Sequence, residues 1–96
     1  MADLSAKAPG WIQTGALSTT KTTFTFDPEL HTRAYLYVDD AINFAKFSYD
    51  DSTYATASET GKTWVEIWSA EDPNTAVNQV HVKSDGGTPT YYLRLV

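Results

Sequence analysis

Apolar and polar residues alternate strictly along this chain, in runs too short for helices, and that pattern constrains the fold more than any other feature. The runs are Thr23-Phe24-Thr25-Phe26, Ala34-Tyr35-Leu36-Tyr37-Val38, Val65-Glu66-Ile67, Val80-His81-Val82-Lys83 and Tyr91-Tyr92-Leu93-Arg94-Leu95. A period of two belongs to strands with one buried face, whereas an amphipathic helix repeats near 3.6. No window carries the helical spacing. The residue types agree: Thr, Tyr, Val, Phe, Trp and Ile supply 36 of the 96 residues, and Leu and Met only seven. Branched and aromatic side chains pack well on a pleated surface, so this is a β composition.

Residues suited to turns separate the runs at short intervals. Asp27-Pro28, Asp39-Asp40, Asp50-Asp51-Ser52, Gly61, Asp72-Pro73-Asn74 and Asp85-Gly86-Gly87 accept turn dihedrals or bond back to their own backbone. About seven strands result, near residues 11–14, 21–26, 33–38, 42–49, 63–69, 77–83 and 90–96. So many short strands in one small chain predict an all-β fold, a compact antiparallel β-sandwich or a flattened barrel. The sandwich is expected to span residues 11–96 as a single domain, preceded by a flexible arm over residues 1–10. The last two strands flank a glycine-containing loop and are expected to form a hairpin. Ile42 and Phe44 fall on one face and Phe47 and Tyr49 on the other, which predicts a bulge or corner near Ala45-Lys46, or a boundary between two strands.

Charges inside strands mark the wet face, because an unpaired buried charge is strongly unfavourable. Glu66, Lys83 and Arg94 therefore point outward, and Phe24, Phe26, Leu36, Val38, Val65, Ile67, Val80, Val82, Tyr91, Leu93 and Leu95 form the expected core. The same parity puts Trp64 and Trp68 beside Glu66, with Tyr35, Tyr37 and Tyr92 also on outward faces. Large aromatics on a wet face mark a contact surface. The alternative is a strand covered on both sides, by a loop or by the N-terminal segment.

Several function classes are disfavoured. With no cysteine there is no disulfide, thiolate nucleophile or cysteine-held metal site. A net charge of −5 with five scattered lysines does not suit a phosphate backbone or an anionic membrane. No apolar run is long enough for a spanning helix, and the start MADLSAKAPG has no basic region followed by a hydrophobic one, which predicts synthesis in the cytoplasm without a signal peptide. His31 and His81 are expected to be solvated or locally bonded. No nucleophile elbow, His-Glu-x-x-His or phosphate loop occurs, so no enzyme, catalytic residue, metal or cofactor is expected. The pairs Asp39-Asp40 and Asp50-Asp51 lack the spacing of a calcium loop and are expected to build turns.

The segments Phe47-Ser48-Tyr49-Asp50-Asp51-Ser52-Thr53-Tyr54, Glu59-Thr60-Gly61-Lys62-Thr63-Trp64 and Val80-His81-Val82-Lys83-Ser84-Asp85-Gly86-Gly87-Thr88-Pro89-Thr90-Tyr91 resemble small tailed-bacteriophage virion proteins. These are all-β accessory components: capsid decoration or cement proteins, head fibres and small tail parts. The resemblance covers roughly residues 34 to 96, with Asp51 standing where glycine is common in that group. It implies a non-enzymatic structural protein of the virion, bound to the major capsid protein or another virion protein on the capsid surface, and a homo-oligomer, often a cyclic trimer. The interface residues expected from the arm and the aromatic parity are Pro9, Gly10, Trp11, Tyr35, Tyr37, Trp64, Trp68 and Tyr92. The competing reading is a carbohydrate-binding module or a tail or fibre adhesin. Trp64 and Trp68 on one strand face would then lie about 13 Å apart as a platform for sugar rings.

Overall fold

The computed structural model describes residues 2–40, 45–56, 63–71 and 79–96. The strands among them are β1 (Ala2–Asp3), β2 (Ile12–Ala16), β3 (Thr22–Thr25), β4 (Arg33–Val38), β5 (Ala45–Ser48), β6 (Ala55–Thr56), β7 (Val65–Ser69), β8 (Gln79–Ser84) and β9 (Thr90–Leu95). Seven of these have four residues or more and form two antiparallel sheets, one ordered β2-β9-β4-β7 and one ordered β3-β8-β5. The two-residue strands extend the second sheet at its margins, β1 parallel to β3 and β6 antiparallel to β5. Among the described residues no pairing joins the two sheets, so the architecture is a β-sandwich and not a flattened barrel.

The core follows the alternation. Phe24, Phe26, Leu36, Val38, Ile67, Val80, Val82, Tyr91, Leu93 and Leu95 are all buried, and Val65 is half-buried. Phe24 meets Tyr91 edge to face, with centroids 5.3 Å apart, so the two sheets interlock through aromatic rings. Fully burying side chains of this kind contributes about 1.5–3 kcal/mol each before the entropy of ordering the chain is set against it.

Trp68 departs from the expected parity. Ala34 pairs with Trp68 but Tyr35 pairs with Glu66, so Ile67 is an extra residue, a β-bulge. The bulge lets Ile67 and Trp68 both point inward. Trp68 is 1% exposed and stacks on Phe26 at 4.8 Å, which removes it from any outward surface.

The expected hairpin between the last two strands is also corrected. β8 lies between β3 and β5, while β9 lies between β2 and β4 in the other sheet. Each strand has only two edges, and both edges of each are taken. The loop over residues 85–89 therefore arches between sheets, beside the equivalent crossing from β2 to β3. The two arches hold each other: the Leu17 N–H donates to Pro89 O at 2.9 Å and the Ser84 N–H to Ser18 O at 2.8 Å. Gly87 turns the arch at a φ of 64°.

Nor are residues 2–10 a free arm. β1 pairs with β3, the Leu4 N–H donates to Thr25 O, and Leu4 is 2% exposed within the core. His31, buried, closes the segment from the other side. Its Nδ1 accepts from the Asp27 N–H at 3.2 Å, so the ring proton is on Nε2, which donates to Lys7 O at 2.6 Å. Gly10 then turns at a φ of 94°, and its N–H reaches Leu95 O. One leucine and a ladder of backbone partners are enough to dock a segment that looks featureless in composition.

The register of β5 with β8 runs unbroken from Ala45 to Ser48, with no bulge at Ala45-Lys46. Ile42 and Phe44, the other half of the expected phase break, lie outside the described residues.

Candidate functional site

The outer face of the four-stranded sheet gathers most of the aromatic residues that alternation placed outside. Register fixes two adjacent rows. Ile12, Arg94, Tyr35 and Glu66 are successive cross-strand partners from β2 to β7; Thr14, Tyr92 and Tyr37 form the next row. Trp64, immediately before β7, completes the second row by packing on Tyr37. Ring centroids are 6.1 Å apart for Tyr92 and Tyr37 and 5.4 Å for Tyr37 and Trp64. The rings touch as a continuous ridge across three strands.

This ridge is open to solvent. Trp64 is 45% exposed, Tyr92 36% and Ile12 52%, while Tyr35 and Tyr37 are half-buried by their neighbours. Neighbouring rings are tilted by 47° and 59°, so the surface is corrugated and not a flat platform. Charge sits at its border. Arg33 Nε lies 3.3 Å from Glu66 Oε1 and its Nη2 lies 3.9 Å from Glu71. A hydrogen bond to Tyr35 and then the charge of Glu66 hold the Arg33 guanidinium above its ordinary value, so it stays ionised. A tyrosine and tryptophan centre with arginine nearby is the composition of an energetic centre in a protein interface.

The remaining expected site residues do not join the ridge. Trp11 is 41% exposed but lies on the other side of β2 from Ile12 by alternation. There its indole N–H donates to Gln13 Oε1, and the Lys7 ammonium sits 4.3 Å above the ring. Pro9 and Gly10 are exposed in the turn that leads to it. Trp68 is in the core, so the expected pair of tryptophans on one face is a single tryptophan. Ile12 and Arg33 are members that the sequence reading missed. Their positions in the register could have flagged them once the strands were aligned.

The outer face of the opposite sheet is chemically different. Thr23 and His81 are cross-strand partners bonded through Oγ1 and Nδ1 at 2.8 Å, and the Lys83 ammonium sits 4.0 Å over the Tyr54 ring. Lys21 pairs with Asp51, which also accepts the Tyr54 hydroxyl. Burial, then the bond to Asp51, pushes Tyr54 up to about 12. Asp50 folds the adjoining turn: its carboxylate accepts the N–H groups of Thr53 and Ser52 and the hydroxyl of Ser48, which hold it down at about 2. Asp51 adopts a φ of 59°, the left-handed conformation in which glycine is most at ease and aspartate is tolerated. The aspartates thus build a turn, as expected. Among the described residues no three His, Asp or Glu side chains converge as a metal site.

Comparison with protein-family models, with curated proteins and with solved structures returns no match for this chain.

Proposed function

We propose that this chain is a non-enzymatic structural component of a tailed-phage particle, a decoration or cement protein that binds the outer capsid lattice through the exposed face of its four-stranded sheet. The observation that carries the reading is the contiguous ridge Tyr92-Tyr37-Trp64 with Ile12 beside it. A soluble domain of this size has no internal use for such a ridge, since its core is already closed by Trp68, Phe26 and Leu4. The resemblance of residues 34 to 96 to phage accessory proteins supplies the partner class. Corrugated rings interdigitate with another protein better than they stack on sugar rings, which favours a protein partner over a glycan.

The test is co-sedimentation with capsids assembled from the major capsid protein encoded in the same genome. Wild-type protein is expected to pellet with the shells, and Trp64→Ala and Tyr37→Ala to lose at least about 2 kcal/mol of affinity each, the loss typical of a central interface aromatic. Binding to a glycan array that depends on Trp64, without capsid binding, would select the adhesin reading instead.

A further inference from the structure

We infer that β2 is an intermolecular sheet edge, built to pair antiparallel with β2 of a second copy of this chain about a two-fold axis. The inference rests on backbone geometry at the opposite margin of the sheet from Trp64, and is independent of the virion reading.

Ladder parity identifies which groups face outward. Trp11 O accepts the Leu95 N–H and the Leu17 N–H donates to Pro89 O, so odd-numbered residues of β2 bond to β9. The N–H and C=O groups of Ile12, Thr14 and Ala16 therefore point away from the sheet. No hydrogen bond reaches them among the described residues, and all three residues are exposed.

An unpaired edge is normally blunted by brevity, a bulge, proline or charge. The other three margins of this sandwich carry such devices. β1 and β6 have two residues each, and β7 has the Ile67 bulge with Glu66 beside it. β2 has none of them: it is five residues long, regular in register, and no charge or proline occurs from Trp11 to Thr20.

The edge is also self-complementary, which argues for a copy of itself as occupant. Because Thr14 faces outward, a two-fold centred on it sets Thr14 against Thr14 of the other copy and Ile12 against Ala16, large against small. About six interchain hydrogen bonds then form with no like charges opposed, although each chain carries a net charge of −5. The product is one eight-stranded sheet whose two aromatic ridges lie on the same side.

Sedimentation equilibrium on the full chain tests this, together with amide hydrogen exchange. The expected mass is twice 10.6 kDa. Amides of Ile12, Thr14 and Ala16 should be protected in proportion to the dimer fraction. Thr14→Lys, which opposes two ammoniums at the axis, and Thr14→Pro, which removes an edge N–H not used by β9, should each weaken dimerisation at least about tenfold. Trp64→Ala should leave the mass unchanged. A monomer at the highest soluble concentration, a trimer, or a dimer indifferent to both Thr14 variants would overturn the inference. If both variants fail to fold, wild-type exchange decides: edge amides that exchange freely in the dimer contradict it.

Discussion

The two outer faces of this sandwich use similar side chains to opposite ends. On the three-stranded sheet a set of polar and aromatic groups is engaged within the chain: Thr23 with His81, Tyr54 with Asp51 and with Lys83, and Asp51 with Lys21. On the four-stranded sheet Tyr92, Tyr37 and Trp64 touch one another and then solvent. These groups of the first face are held by partners of their own chain; the second face presents aromatic area to solvent. The two tryptophans of the β7 segment make the same contrast at closer range, four residues apart, one in solvent and one in the core.

The largest effects should come from breaking the inner side of that contrast. Trp68→Ala empties a fully buried site against Phe26 and is expected to destabilise by about 3–5 kcal/mol in urea unfolding. Trp64→Ala, by contrast, should shift stability by no more than about 0.5 kcal/mol, because it leaves no cavity. Equal losses at the two positions would erase the distinction between the tryptophans. Leu4→Ala should cost about 2–5 kcal/mol and expose residues 2–10 to protease. Retained stability with unchanged protection would show that the docked segment contributes nothing.

Much of this was legible in the residues. The period-two runs give β3, β4, β7, β8 and β9, and the turn signals between them add β2 and β5, while the two-residue strands β1 and β6 carry no period. Ten of the expected core residues are buried, because alternation is a direct consequence of strand geometry, whereas Leu4, Leu17, Ala34, Ala45 and Trp68 join the core outside that list. What alternation cannot show is where its phase slips. The bulge at Ile67 leaves only an indirect trace in the sequence, the adjacent large apolar pair Ile67-Trp68, and so unbroken alternation puts Trp68 on the opposite face from the one it occupies. Pairing partners were equally hidden. A glycine loop between two strands looks the same whether it closes a hairpin or arches between sheets, and only competition for strand edges decides. Leu4 and His31 were missed because single residues in polar segments carry no period. Tyr35, Tyr37, Tyr92 and Trp64 were placed correctly on the outside by parity alone, and register then assembled Tyr92, Tyr37 and Trp64 into one ridge beside Tyr35.

Smaller effects sharpen the comparison from the three-stranded sheet. Lys83→Ala removes the cation over Tyr54 but should leave capsid binding unchanged, since that side faces away from the ridge. A binding loss equal to that of Trp64→Ala would move the docking surface to the other sheet. The Asp50 turn predicts a further, modest pH response. Its carboxyl ionises at about 2 in the folded chain against 3.8 ordinarily, because Thr53, Ser52 and Ser48 donate to the charged form. A depressed folded value stabilises the turn fully above pH 4, and that contribution is lost as pH falls from there through about 2. Acid unfolding of Asp50→Ala compared with wild type checks this, and identical pH profiles between pH 4 and 2 would contradict it.

The most direct measurement of the account is a reconstruction of a particle decorated with this protein. The outer face of the four-stranded sheet should lie against the capsid, with the Trp64 and Tyr37 rings buried at the contact and Lys83 and Tyr54 turned to solvent. Density that shows the ridge of Tyr92, Tyr37 and Trp64 bare, with the chain held by its opposite sheet or absent from the shell, would contradict it.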